Sequence, residues 1–232
     1  ERASWYAGFG NKNLVYAGGV ALNCAANRLL ANKKLFENVW IIPNPGDAGS
    51  SLGSIAASQQ RQIEWEHPFL GHNIDGEYPV DGLIKELKEN KIVGVASGRA
   101  EFGPRALGNR SLLADPRGKH IKDLVNSIKK RQKFRPFAPA ILEEHVHEYF
   151  DLPTGVKNTP YMQYTAACTH GKTFPAIIHH DHTSRVQTVR KTDNPGFHAL
   201  LTEWKKQTGC PILLNTSLNI KGQPIVNDVA DS

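Results

Sequence analysis

The stretch KIVGVASGRAEFGPRALGNRSLLADP, residues 91–116, sets the architecture of this chain. Ile92–Ala96 is a short apolar run with the character of a buried strand. Ser97–Leu107 is a Gly- and Arg-rich loop, and Ser111–Ala114 reads as a second strand stopped by Asp115-Pro116. Working downstream, apolar residues at 121, 124, 125 and 128 predict a helix over Ile121–Arg131. Phe137–Leu142 is expected to be a strand and Glu143–Phe150 a helix. Tyr161–Cys168 and Arg185–Val189 read as strands, and Phe197–Gln207 as a helix ending at Gly209. Pro211–Asn215 is a buried strand running into a polar turn.

Working upstream, Leu83–Asn90 is an amphipathic helix. Residues 63–80 have turn chemistry and no period, so a linker is expected there. Before it, Leu14–Ala17 is an apolar run ending in Gly18-Gly19, and Ala21–Ala31 carries helix formers. Val39–Ile42 is a strand closed by Pro43, and the Gly-rich turn 46–51 leads into a helix reaching about Arg61. The expected fold class is α/β (α+β), with units at 1–62 and 81–232.

The chain has 232 residues, 40% apolar and 22% charged, which are ordinary globular values. No apolar run of about 18 residues is present, so no membrane span is expected. With no initiator Met and no signal peptide at Glu1, the chain is expected to be a piece of a longer protein. Cys24, Cys168 and Cys210 show no CxxC spacing, which argues against a disulfide scaffold or structural zinc. The expected location is the cytoplasm.

Charge is unevenly placed. Lys91–Arg135 holds twelve Lys/Arg against three acids, a net of +9, and the rest of the chain carries −3. A cationic centre predicts an anionic partner, either RNA or a small phosphate. Six of the twelve cations are arginines, whose forked donors suit phosphate and carboxylate. Only Phe102 and Phe134 interleave as aromatics, so base stacking has little support and a small phosphate is favoured.

Five constellations carry chemistry. GRAEFGPRALGNRS, residues 98–111, combines turn glycines with Arg99, Arg105 and Arg110. Its arginines could instead pair with Glu101 and Asp115. KKRQKFRPFAP, residues 129–139, puts Lys129 past a helical stripe and Arg135 before Pro136. His179-His180-Asp181-His182 suggests a metal, but an extended strand would turn His180 and His182 away from His179 and Asp181. An anion-site lining is the preferred reading there. LLNTSLN, residues 213–219, ends a buried strand in Asn215, Thr216, Ser217 and Asn219. Gly18-Gly19 with Asn23, and Gly46-Asp47, look like two nucleotide-facing turns of one half-domain.

These motifs in this order, with SRVQTV, AGGVALN and GDAGSSLG, resemble the carboxy-terminal part of the O-carbamoyltransferase family of nodulation and antibiotic-tailoring enzymes. The resemblance spans nearly the whole chain. It implies a YrdC-like domain at 81–232 with a twisted mixed sheet and flanking helices. It also implies that 1–62 is the end of an ASKHA-type (actin-like) domain. Such a protein would take carbamoyl phosphate and ATP, form carbamoyl-adenylate, and pass the carbamoyl group to a hydroxyl of a small-molecule acceptor. By this resemblance Arg105, Lys129 and Arg135 are the expected catalytic groups. Arg131, Arg185, Asn215, Ser217 and Asn219 join them in binding substrate, and Arg99 and Arg110 are weaker candidates. Gly18, Gly19, Asn23 and Gly46 are expected to face nucleotide, and Asp47 to complete a metal site for iron or magnesium.

The chain departs from the family in two places. No two histidines stand four apart, so the HxxxH metal pair of such ASKHA domains is missing. His182 also replaces a small residue. Two other readings are an RNA-binding YrdC-like module and a threonylcarbamoyl-adenylate synthase. Nucleic acid and membrane are not expected partners.

Overall fold

The computed structural model describes residues 12–231, so residues 1–11 of the upstream unit and Ser232 lie outside the described residues. The upstream elements are β1 (Asn13–Tyr16), α1 (Cys24–Asn32), β2 (Asn38–Ile41) and α2 (Ser50–Gln59). β1 and β2 pair in parallel, as expected of a β-α-β crossover. A two-residue strand β3 (Asn73–Ile74) then precedes α3 (Val80–Asn90), β4 (Ile92–Ala96), β5 (Gly98–Arg99) and β6 (Arg110–Ala114). Next come α4 (Ile121–Ile128), β7 (Ala138–Leu142), α5 (Val146–Tyr149), β8 (Phe150–Asp151) and β9 (Thr165–Cys168). The remaining elements are β10 (Thr183–Arg185), β11 (Gln187–Val189), α6 (Pro195–Thr208) and β12 (Ile212–Ser217).

The main sheet has the order β11-β7-β12-β6-β4. Only β11 and β7 run parallel, so the sheet is mixed, as the sequence reading expects. Its strands β6 and β7 are buried along their whole length, and neither shows an alternation of apolar and polar residues. Pro139 stands in β7, but β11 begins opposite Ala140 and leaves Pro139 beyond its end.

Leu83, Ile84 and Leu87 of α3 pack with Phe197, Leu200, Leu201 and Trp204 of α6 in one core with the sheet. The spacing of the α6 set is one helical face. Asn194 caps α6 by accepting from Phe197 N at 3.0 Å, and Pro195 occupies its first turn. Gly108 lies against this helix at φ 121°, where a Cβ would stand 2.4 Å from Phe197 Cδ1, so only glycine fits.

Several elements are shorter than their sequence signal. α4 stops at Ile128, because Lys130 takes φ 51° and Arg131 N bonds Asn126 O at 3.0 Å. With Lys130 N on Ser127 O, this is a Schellman stop built on lysine instead of glycine. Met162 at φ 59° breaks the run expected over 161–168, and Val186 divides 185–189 between β10 and β11. Residues 143–149 form a 3-10 turn and the single turn α5 in place of one helix, and Phe150 opens β8.

Segment 63–80 is packed into the fold. Phe69 is buried with Leu107, Ala138 and Met162, and β3 pairs with β5. Tyr78 donates its hydroxyl to Gly108 O at 2.8 Å. The upstream unit docks through Ala21 and Ile41 against Tyr164. Buried Asn27 stitches the contact by donating to Ala21 O and Gln163 O at 2.8 and 2.9 Å.

Candidate anion-binding site

The Gly/Arg loop between β5 and β6 is organised by a carboxylate. Glu101 Oε1 accepts from the backbone N–H groups of Leu107, Asn109 and Arg110 at 2.7, 2.9 and 3.3 Å. Gln187 donates to Leu107 O at 2.9 Å, and Asn215 to Ala106 O at 3.0 Å. Arg105 therefore projects from a loop held on both sides. Its guanidinium donates to Leu22 O of the upstream unit at 3.4 Å.

Arg131 and Arg135 are fixed by one buried amide. Asn126 donates to Lys133 O and Arg135 O at 3.1 and 3.0 Å, and accepts from Arg131 Nε at 2.7 Å. Arg131 lies over Phe137, 4.4 Å from its ring centroid. Arg185 comes from β10, and its Nε is buried with no hydrogen-bond partner. An orphaned buried guanidinium N–H is costly unless a ligand meets it.

These four arginines converge on a cleft of about 390 Å³, lined also by Cys24, Pro136, Phe137, Ala138 and His179. No acidic residue lines it among the described residues. Burial lowers the pKa of Arg185 to about 10, and the charges of Arg105 and Arg131 add to this. Burial also lowers Arg105, and lowers Arg131 together with Arg135. His179 is pushed down by burial, with Asp181 opposing and Arg185 and Lys122 adding. The cleft thus concentrates uncompensated positive charge and presents planar donors to an anion.

Lys129, Ser217 and Asn219 form a second cluster. The Lys129 ammonium donates to Ser217 O and Oγ at 2.6 and 3.2 Å, and to Asn219 O and Oδ1, both at 3.0 Å. Burial, with help from Arg131, brings its pKa down to about 8. Lys129 does not line the arginine cleft; it clamps the end of α4 to the turn after β12. Asn215 is buried and does not line the arginine cleft; it donates to Gln187 Oε1 at 2.7 Å while its own Oδ1 has no partner.

The weaker candidates have structural work. Arg110 is 1% exposed and donates to the carbonyls of His72, Ser97, Gly98, Asn109 and Asn227. Arg99 reaches the carbonyls of Leu70 and Gly71. Of the two acids offered as partners for the loop arginines, Glu101 takes backbone N–H groups, and Asp115 pairs with Arg117 at 2.8 Å.

The two upstream turns meet, with Gly18 N donating to Pro45 O at 2.7 Å. Gly18, Gly19 and Asn23 are exposed, and Asn23 Oδ1 caps α1 by accepting from Ala26 N. Gly46 accepts from Gly49 N, and Asp47 is exposed at the start of a 3-10 turn. Among the described residues, no three His, Cys, Asp or Glu stand together to hold a metal.

The extended geometry expected for residues 179–182 is not formed. His179 N donates to Thr183 O and His182 N to His179 O, closing a tight turn with His182 at φ 60°. That left-handed backbone is why a small residue suits position 182. His179 faces the cleft, and His180 and His182 are exposed.

Sequence reasoning did not single out Cys24, Asn126 or Gln187. A polar Asn126 beside an apolar stripe was the available signal for one of them; Cys24 and Gln187 meet their partners only through long-range packing.

The fold and site define a mixed-sheet α/β protein with an arginine-lined cleft. A family model described as carbamoyltransferase C-terminus matches residues 84–232, and one described as carbamoyltransferase N-terminus matches residues 1–57. The chain belongs to the carbamoyltransferase family. It is 38% identical to nodulation protein NolO of Bradyrhizobium diazoefficiens, over 96% of this chain and 46% of the relative. It is 37% identical to nodulation protein NolNO of Sinorhizobium fredii, over 96% of this chain and 37% of the relative. Nodulation protein U of Bradyrhizobium diazoefficiens is 37% identical, with shares of 95% and 41%. The chain spans less than half the length of each of these relatives. Among the described residues, no helix is long and apolar enough to cross a membrane.

Proposed function

We propose that this chain carries the carbamoyl-phosphate site of an O-carbamoyltransferase that forms carbamoyl-adenylate and passes its carbamoyl group to a hydroxyl of a small-molecule acceptor, releasing AMP. The observation that carries this reading is the convergence of Arg105, Arg131, Arg135 and Arg185 on one cleft without an acid. In this reading 81–232 is a YrdC-like domain and 1–62 the end of an ASKHA-type domain. The unmatched stretch 58–83 between the two family models supports a junction at 63–80.

Arg185 Nε and Arg105 would take the phosphate oxygens, and Arg131 and Arg135 would close over the open side. Carbamoyl phosphate, ATP and water then give carbamoyl-adenylate, phosphate and pyrophosphate. Every participant except water is an anion, so positioning and charge stabilisation are what arginines can supply. Lys129, Ser217 and Asn219 would form the wall beside ATP, with Lys129 holding that wall in place. Asn215 Oδ1, buried without a partner, would accept from the carbamoyl amide only if the ligand reached past the cleft lining. Gly18, Gly19, Asn23 and Gly46 would face nucleotide in the upstream unit. Asp47 has no companion ligands among the described residues, so the residues present do not fit a metal centre and no step is assigned to iron or magnesium.

Calorimetric titration tests the reading, with inorganic phosphate as control and an Arg135→Ala variant alongside. Saturable binding that prefers carbamoyl phosphate and weakens on the order of tenfold in the variant is expected. A folded chain that binds neither anion would overturn it. Acceptor carbamoylation by this chain alone is not expected.

A further inference from the structure

Cys24 opens α1, is half-buried, and lines the arginine cleft. Its electrostatic neighbours are Arg105 and Arg185. A cysteine alone would say little. The second observation is the buried, unpartnered Nε of Arg185 in the same cleft, which marks a place built to hold an anion. The other two thiols are placed differently. Cys210 is 6% exposed and donates to Ile212 O at 3.4 Å, and Cys168 lies on β9 outside the cleft lining.

We propose that Cys24 is a thiol-modification site inside the anion cleft, where an anionic low-molecular-weight disulfide forms a mixed disulfide that shuts the cleft to phosphate ligands. The arginines attract the anionic reagent to this thiol by the same field that attracts phosphate. A group attached to Cys24 then occupies part of the cleft that Arg105 and Arg185 line. In the step, Cys24 gives its proton to solvent and its sulfur attacks one sulfur of the reagent disulfide. A new S–S bond forms, the reagent's S–S bond breaks, and the departing thiolate takes up a proton. Cys24 is oxidised and half of the reagent is reduced. The inference rests on the cleft being an anion site, not on which phosphate compound fills it.

The test compares dithionitrobenzoate, a dianionic disulfide, with the neutral 4,4′-dithiodipyridine on the intact chain, locating the label by peptide mass spectrometry. Cys24 is expected to react with the dianion about tenfold or more faster than Cys168. This advantage should shrink with added salt, with inorganic phosphate, and in Arg185→Gln, and be weak for the neutral reagent. The labelled chain should lose carbamoyl-phosphate binding and regain it with dithiothreitol, while Cys24→Ala resists that loss. Equal labelling of Cys168, or labelling of Cys24 that ignores both salt and phosphate, overturns the proposal. Undiminished carbamoyl-phosphate binding after labelling overturns it too. If the unlabelled chain binds no carbamoyl phosphate, the functional reading fails, and the salt and phosphate dependence of labelling still decides this one.

Discussion

Lys129 and Arg131 stand two residues apart in the most basic stretch of the chain, yet they live in opposite circumstances. Four oxygens surround the Lys129 ammonium within 3.2 Å, so its donors are spent inside the protein. Arg131 commits Nε to Asn126 and turns the rest of its guanidinium toward a cleft shared with Arg105, Arg135 and Arg185. The same division separates Arg110, bonded to five carbonyls, from Arg185, whose buried Nε has none. Cation count therefore says that an anion is expected, and satisfied donors say which cations are left to meet it.

Four experiments press on this contrast. Arg185→Gln should weaken carbamoyl-phosphate binding on the order of 100-fold, since a desolvated, charge-assisted contact is lost. Thermal stability should hold or rise in that variant, because no internal bond is removed. A matching drop in melting temperature would place Arg185 with the structural cations.

Lys129→Met should do the reverse. It leaves the Ser217 and Asn219 oxygens without their donor and should cost about 2 kcal/mol in denaturant unfolding. Linkage adds a signature. The folded pKa of Lys129, about 8, lies below the ordinary lysine value of 10.5. The unfolded chain thus binds more protons between those values, and stability rises with pH across that window. The rise should vanish in Lys129→Met; a rise that persists would assign it to another group.

Asn126→Ala probes the hinge between the two sets. It frees Arg131 Nε and the carbonyls of Lys133 and Arg135, so binding should fall about tenfold with a stability loss of about 1–2 kcal/mol. Unchanged affinity would show that Arg131 and Arg135 need no positioning.

The smallest effect is expected from His179. Burial holds its pKa below the usual imidazole value, and a bound anion favours its charged form. Affinity should rise a few-fold as pH falls below about 6.5, and His179→Gln should flatten that rise. A slope equal in both proteins would assign the proton to the ligand.

Much of the fold was legible locally. The predicted limits of β4 coincide with the observed strand, and α3, α6 and β12 lie within a few residues of their signals. The failures share a cause. The Lys130, Met162 and His182 backbones are left-handed, and nothing in those residue types announces it. The packing of 63–80 was not legible, because its anchors, Phe69 against Leu107 and Tyr78 on Gly108, depend on partners about 30–40 residues away.

The sequence by itself determined the mixed α/β class, the cationic centre, the motif order shared with the carbamoyltransferase family, and the arginines worth testing. The α/β class and the cationic centre follow from side-chain type, period and spacing along one chain, whereas the mixed sheet and the choice of arginines are what the family resemblance implies. Only the tertiary structure decided that Lys129 and Arg110 are internal fasteners, that Asn126 holds the Arg131 side chain and the Arg135 backbone, and that Cys24 shares a cleft with Arg185. Each of those depends on which donor finds which acceptor after the chain has closed on itself, and hydrogen bonds made across the fold leave no period in the sequence.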